Sequence, residues 1–360
     1  MNRHQGDTPV FTFHGKPKGK LVRFARWLRQ VLESRGYRFQ ADAKAPRLVL
    51  NFLAADSFQV YRRRAQAVFV ISLMALPQAP ARPVQDLYPY LIRSLSNMLL
   101  VDVEDREAHF LTLELGHYVE PQGADFADRL FARVDPMARS VLVIENRFET
   151  DLEPALWNGD GQTEALARAG RRLAEWDLLP APFPIAEILP PADFRHVKRL
   201  YGIGGLSYGN LSARLDQSRF WMSASGVDKA KLSVIGRDLL LVKEYDREAN
   251  AMVLSVPPGV EPRRVSVDAI EHWMIYREHP GAGAIIHIHA WMEGAPMTQF
   301  NYPCGTYQLG EAVAEQIRRS PDPSRAVVGL KNHGLTITGR SIDDILERIE
   351  GRLLKQVPMT

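Results

Sequence analysis

Ala284-Ile-Ile-His287-Ile-His289 decides how this chain is read. Four apolar residues carry two histidines at alternate positions, and in a strand alternate side chains share a face. His287 and His289 then stand side by side on a rigid element. Two readings are open: satisfied core histidines, or half of a metal site. Just upstream, Val267 to Glu278 has helical spacing, with Ser266 placed to cap it. Asp268, His272 and Tyr276 recur at intervals of four and line one stripe of that helix. Pro280-Gly281 ends the helix before the histidine strand begins. A further histidine, His333 in Lys-Asn-His-Gly, completes a candidate set of three. Three neutral imidazoles leave a divalent ion such as zinc an open position, and a nearby carboxylate can move a proton beside a carbonyl that the ion polarises.

A second motif precedes these. Gly204-Gly-Leu-Ser-Tyr-Gly-Asn-Leu-Ser-Ala-Arg214 is a glycine-rich turn running into a strand, and Met222-Ser-Ala-Ser-Gly-Val-Asp228 follows one hairpin later. Asn210, Ser225 and Gly226 supply uncharged donors of the kind that cradle a phosphate or carboxylate. An ordinary tight turn fits the same residues.

In order and spacing, Gly209-Asn210-Leu-Ser212-Ala-Arg214, Ser225-Gly226, the Asp268/His272/Tyr276 helix, His287-Ile-His289 and His333-Gly334 resemble the class II aldolase/adducin family. The resemblance runs from about Phe194 to Gln356. It implies an α/β fold, a three-layer α/β/α domain around a largely antiparallel sheet, in a homo-oligomer, commonly a tetramer. It places zinc or another divalent metal on His287, His289 and His333. It puts a substrate phosphate on Asn210, Ser225, Gly226 and Ser266, and the catalytic acid/base at Asp268. The function implied is a metal-dependent lyase of aldolase type, acting on a small sugar or sugar phosphate through a metal-stabilised enediolate. The family also contains pentulose-phosphate 4-epimerases, a dehydratase, and adducin, an interaction protein without the metal chemistry.

The chain departs from the family pattern in three places. Asp268 stands where the aldolases carry Glu, as in the 4-epimerases. Val267 replaces one of two paired serines. The segment from His289 to Tyr302 is short, leaving Tyr302 and Tyr307 as the nearest tyrosines, and the chain stops at Thr360 where the family carries a further tail.

Composition narrows the remaining classes. At 360 residues two domains are expected. The 45 basic and 42 acidic residues are interspersed and leave a net charge of +3, which makes no case for nucleic acid. Arg62-Arg63-Arg64 reads as a solvated turn or strand end. The single cysteine, Cys304, excludes an internal disulfide framework and any Cys-rich zinc module. The most apolar stretch, Val68 to Pro77, is far shorter than the roughly 20 residues of a membrane span. The N-terminus has no apolar signal core. A cytoplasmic protein is expected, with a small carbohydrate or hydroxy-carbonyl substrate and no nucleic-acid or membrane partner.

The first half reads as mixed α/β without an evident site. After a polar tail of about fifteen residues, helices are expected over Lys18–Gly36, Leu87–Met98, Phe126–Val134 and Thr163–Trp176. Strands are expected over Arg47–Leu53, Ala67–Leu76, Leu99–Val103, His109–Val119 and Ser140–Glu145. Leu179 to Pro191 holds five prolines in thirteen residues and reads as an extended connector. The expected division is therefore 1–178, an accessory or assembly domain, then the connector 179–191, then 192–360, the domain with the motifs.

Overall fold

The computed structural model describes residues 8–54, 60–62, 68–113, 116–177, 190–192, 195 and 209–359. The chain forms two compact units, Met1–Ser140 and Val141–Pro358. Both are α/β and both sheets are mixed.

The first unit begins with β1 (Val10–His14), α1 (Leu21–Ser34), β2 (Arg38–Phe39), β3 (Leu48–Phe52) and β4 (Phe69–Leu76). It continues with α2 (Pro83–Arg93), β5 (Met98–Val103), β6 (Glu107–Thr112), β7 (His117–Pro121) and α3 (Phe126–Arg139). Strand order is β2-β1-β3-β4-β5-β6-β7, parallel from β2 to β5 and antiparallel from there to β7. β1 lies inside what the sequence presents as a polar tail. Its five residues alternate too briefly to stand out, yet Phe11 is fully buried and the strand pairs on both sides. The segment expected as one strand over 109–119 folds as two, β6 and β7. α2 starts earlier than expected, with Pro83 in its first turn, where the missing N–H costs nothing. α3 continues through Pro136 to Arg139. On one face of this sheet Ser72, Ser94 and Ser96 bond to one another at 2.6–3.0 Å, and Asn51 Nδ2 donates to Ser72 Oγ at 2.9 Å.

The second unit starts with β8 (Glu145–Glu149), α4 (Gly161–Glu175), β9 (Asn210–Arg214) and β10 (Phe220–Ser223). Then come β11 (Leu239–Asp246), β12 (Ala251–Ser255), α5 (Ala269–Glu278), β13 (Ala284–Ile288), α6 (Tyr307–Arg318), β14 (Val327–Leu330), β15 (Gly334–Gly339) and α7 (Ile342–Ile349). Strand order is β14-β15-β13-β9-β10-β11-β12-β8. Every adjacent pair is antiparallel except β12/β8, which is parallel. The largely antiparallel sheet expected here is present.

Register sorts the side chains into two faces. His287 is opposite both Asn210 and Thr336, and Ile285 is opposite Ser212 and Thr338, so these share one face. That face meets α5, because Ser212 Oγ bonds to His272 and Tyr276 and Thr336 Oγ1 donates to Glu271. Gly339 belongs to the other face, where a side chain would press on Ile345 of α7. α4 packs beside α7 and α6 beside α5, which gives a helical layer on each side of the sheet. β13 runs between the layers. Ile285, Ile286 and Ile288 are fully buried, each contributing up to about 1.5–3 kcal/mol of hydrophobic stabilisation.

The expected connector 179–191 lies almost wholly outside the described residues. The residues before it already belong to the second unit: β8 pairs with β12, and α4 packs on β9 and β10. The division by contact therefore falls at Ser140/Val141 rather than in the proline-rich segment. Prolines report local stiffness, whereas sheet membership is set by long-range pairing that a local pattern does not carry. No helix among the described residues is long and apolar enough to cross a membrane.

Candidate functional site

Two glycines let neighbouring chain segments close on the histidine strand. A Cβ at Gly209 would overlap the carbonyl oxygen of His287, and one at Gly334 would overlap that of Ile288. Gly209 also has φ +83°, which side-chain-bearing residues rarely adopt. Asn332, with φ +58°, turns the chain so that His333 reaches the strand's two imidazoles.

The three rings converge. Centroids of His287 and His289 are 5.3 Å apart, and each is 4.8 Å from that of His333. One ligand nitrogen from each can be chosen so that all lie within 4.8 Å. His287 Nδ1 donates to the Leu335 carbonyl at 3.1 Å, which fixes the tautomer and leaves Nε2 as a lone pair. That Nε2 is buried and has no hydrogen-bond partner among the described residues. His289 Nε2 and His333 Nε2 face each other at 3.1 Å. Burial lowers the basicity of all three, with His289 drawn down to about 3, so the rings are neutral at ordinary pH. Neutral, buried nitrogen donors aimed at a common point suit a divalent cation of borderline softness. Cys304 Sγ lies 3.2 Å from His333 Nε2.

Asp268 occupies the position just before α5, yet its side chain makes no capping hydrogen bond. Its carboxylate instead accepts from Asn210 Nδ2 at 2.8 Å and from the Gly305 N–H at 3.2 Å. Because Asn210 is directly opposite His287 in the sheet, this bond carries the carboxylate to the histidine cluster, and the Asp268 charge acts on His287. The expected cap, Ser266, lies two residues earlier. Its backbone N–H donates to Ser223 O, and the Ala224/Val265 bridge sets it beside the Ser225-Gly226 turn. Ser225, Gly226 and Ser266 thus come together, whereas Asn210 is engaged by Asp268. His272 and Tyr276 share Ser212 Oγ, at 2.7 and 2.8 Å, and tie α5 to the sheet.

Two buried ionisable groups here escaped the sequence reading. Lys229 is buried, and burial draws its pKa down to about 8 against the charges of Asp268 and Asp228. Its own charge acts on His287 and His289. It stands in a short turn without periodicity, so no pattern announces it. A Cβ at Gly170 of α4 would overlap the Lys229 carbonyl oxygen, so α4 presses directly on this turn. Glu271 was legible in principle, since residues 268, 271 and 272 share a helix stripe. Burial, and then the Asp268 charge, push its pKa well above the usual range. Oε1 accepts from Thr336 Oγ1 at 2.6 Å.

Residues 194–295 match the family model for the class II aldolase and adducin N-terminal domain. The match to the class II aldolase/adducin family therefore lies within the second unit and includes Asn210, Ser225, Gly226, Ser266, Asp268, His287 and His289. A 3-oxo-tetronate 4-phosphate decarboxylase of Haemophilus influenzae is 28% identical over 174 residues, which span 42% of this chain and 76% of that protein. A methylthioribulose-1-phosphate dehydratase of Citrobacter koseri is 27% identical over 172 residues, 40% of this chain and 78% of that one. Among solved structures, L-fuculose 1-phosphate aldolase aligns with a TM-score of 0.35 and 18% identity, over 53% of this chain and 82% of that one.

Proposed function

We propose that the protein is a metal-dependent lyase acting on a small phosphorylated sugar or related hydroxy-carbonyl compound. The observation that carries the reading is the convergence of three neutral imidazoles beside a carboxylate held by two neutral donors. His287, His289 and His333 would hold the ion, zinc first among candidates. When bound, it supplies Lewis-acid polarisation of the substrate carbonyl.

The chain's own groups do the rest. Asp268 moves the proton at the carbon next to the carbonyl, its carboxylate oriented by Asn210 Nδ2 and the Gly305 N–H. Burial and then the Asp268 charge favour the neutral form of Glu271, whose Oε1 accepts from Thr336 Oγ1. Lys229 adds a buried positive charge against Asp268. Ser225, Gly226 and Ser266 anchor the anionic end of the substrate through hydroxyl and amide donors. By family resemblance the protein is expected to be a homo-oligomer.

Asp268 in place of the aldolases' Glu shortens the reach by one methylene and favours a second reading, a dehydratase- or epimerase-type reaction on the same site. Purified protein analysed for metal, then incubated with phosphorylated and unphosphorylated ketoses, tests both. Release of an aldehyde and a ketone fragment supports carbon–carbon cleavage, and loss of water without fragmentation supports dehydration. Absence of bound metal and of turnover across the panel would overturn both readings and leave an adducin-like interaction protein.

A further inference from the structure

In the first unit, β1 ends in Val10-Phe-Thr-Phe-His14 and runs into Gly15-Lys-Pro-Lys-Gly-Lys20 before α1. β1 pairs in parallel with β2 on one side and β3 on the other, and β3 pairs in parallel with β4. The chain leaves β1 toward β2 through α1, whereas β3 leads away to β4 in the opposite direction. In open parallel sheets ligands bind at the carboxyl ends of the strands, at the point where the connections diverge like this.

A cleft of about 730 Å³ occupies this place. Its walls are the segments following three parallel strands: Lys16, Lys18 and Lys20 after β1, Leu53 after β3, and Pro77 after β4, with Phe52 at the end of β3. Among the described residues no acid lines it and none of the three lysines makes an ion pair, although the Lys20 charge acts on Asp102 near the end of β5. Asp105, an acid of the same unit, pairs instead with Arg23 at 3.0 Å. The N-terminus of α1 adds positive potential from the helix dipole, with no acid in its first turn to cancel it. The amides of Leu21, Val22 and Arg23 already donate to the carbonyls of Lys18, Gly19 and Lys20, so the lysine side chains are the available donors. The floor, by contrast, is apolar.

We infer that this cleft binds a nucleoside polyphosphate, with the phosphates on Lys16, Lys18 and Lys20 and the nucleoside over Phe52, Leu53 and Pro77. A cationic rim alone would serve inorganic polyphosphate equally well. The volume and apolar floor call for an organic body, since clefts of roughly 300–1,000 Å³ suit cofactor-sized ligands.

Isothermal titration of the full chain with ATP and with tripolyphosphate tests the assignment. ATP binds more tightly than tripolyphosphate, and its affinity falls as salt is raised, because exposed charges are screened. In Lys16→Ala/Lys18→Ala/Lys20→Ala the affinity drops by about tenfold or more. The fold, read by circular dichroism, is unchanged, since all three side chains are exposed. Ser225→Ala/Ser266→Ala, in the second unit, leaves ATP binding as it was. An absence of ATP binding, or a triple variant that titrates like the unaltered protein, overturns the site. Equal affinity for tripolyphosphate and ATP overturns the nucleoside part of the assignment.

Discussion

Two buried polar clusters, one in each unit, are built from opposite chemistry. Ser72, Ser94 and Ser96 in the first unit are hydroxyls, each able to donate and accept, and they close into a ring of bonds with Asn51 and the carbonyls of Tyr90 and Leu91. His287, His289 and His333 in the second are neutral imidazoles with ring nitrogens close together, and the Nε2 atoms of His289 and His333, 3.1 Å apart, attract only with a proton or cation between them. A cluster that satisfies itself stabilises a fold. One built of converging neutral nitrogens has the donor set that suits a divalent cation.

The contrast is most exposed to the removal of ligands. In His287→Ala/His289→Ala, zinc affinity measured by competition with a chelator should fall by more than about a thousandfold, with far-ultraviolet circular dichroism unchanged. Full metal occupancy in that variant would mean the convergence of nitrogens has no ligating role. Asp268→Asn should keep the metal and, on an accepted substrate, lose about a hundredfold or more in turnover. Near-normal turnover would return Asp268 to a purely structural place.

Fragments separate the units themselves. Residues 141–360 should fold cooperatively, whereas 187–360 should not, because the shorter piece lacks β8 and the buried Leu166, Ala169 and Leu173 of α4. A sharp, single thermal transition in the shorter fragment would restore the boundary to the proline-rich segment. Ser72→Ala should cost about 1–3 kcal/mol in denaturant unfolding and leave metal content untouched. Any loss of metal would show that the serine cluster is not the self-contained structure it resembles.

The last expected effect is one of pH. Burial, and then the neighbouring His109, draw the pKa of His117 from 6.5 down to about 4. Between those values the unfolded chain binds the proton and the folded one does not, so folding stability falls as pH is lowered from about 6.5 to about 4. His117→Asn should flatten the pH dependence of the thermal midpoint in that window. An unchanged slope would mean other groups govern it.

The second unit was the more legible because several of its site residues lie on or at the ends of regular elements. Alternation along β13 and one residue beyond it set His287 and His289 on one face, and the four-residue interval from Asp268 into α5 linked it to His272 and Tyr276. Lys229 was illegible because a short turn has no period. β1 was hidden by its length and by the lysines after it. β8 was misplaced because an edge strand joins a sheet by register with a distant partner, and its Glu-Asn-Arg-Phe-Glu sequence carries little apolar pattern. Asp268 illustrates the opposite difficulty. Position alone makes it a helix cap, and only the bonds to Asn210 and Gly305 show where its carboxylate goes.

The approach of Gly170 to the Lys229 carbonyl bears on how this protein can be recombined with others. The family match begins at residue 194, and a graft made at that point would take Lys229 without the helix that rests on it. Whatever replaced α4 would have to present bare backbone at that one place, because even a methyl group would push the turn carrying Lys229 and its charge away from Asp268. Exchange of the matched segment between relatives is therefore constrained by a residue outside it, and a chimaera that keeps Gly161–Glu175 should tolerate the exchange where one cut at 194 does not.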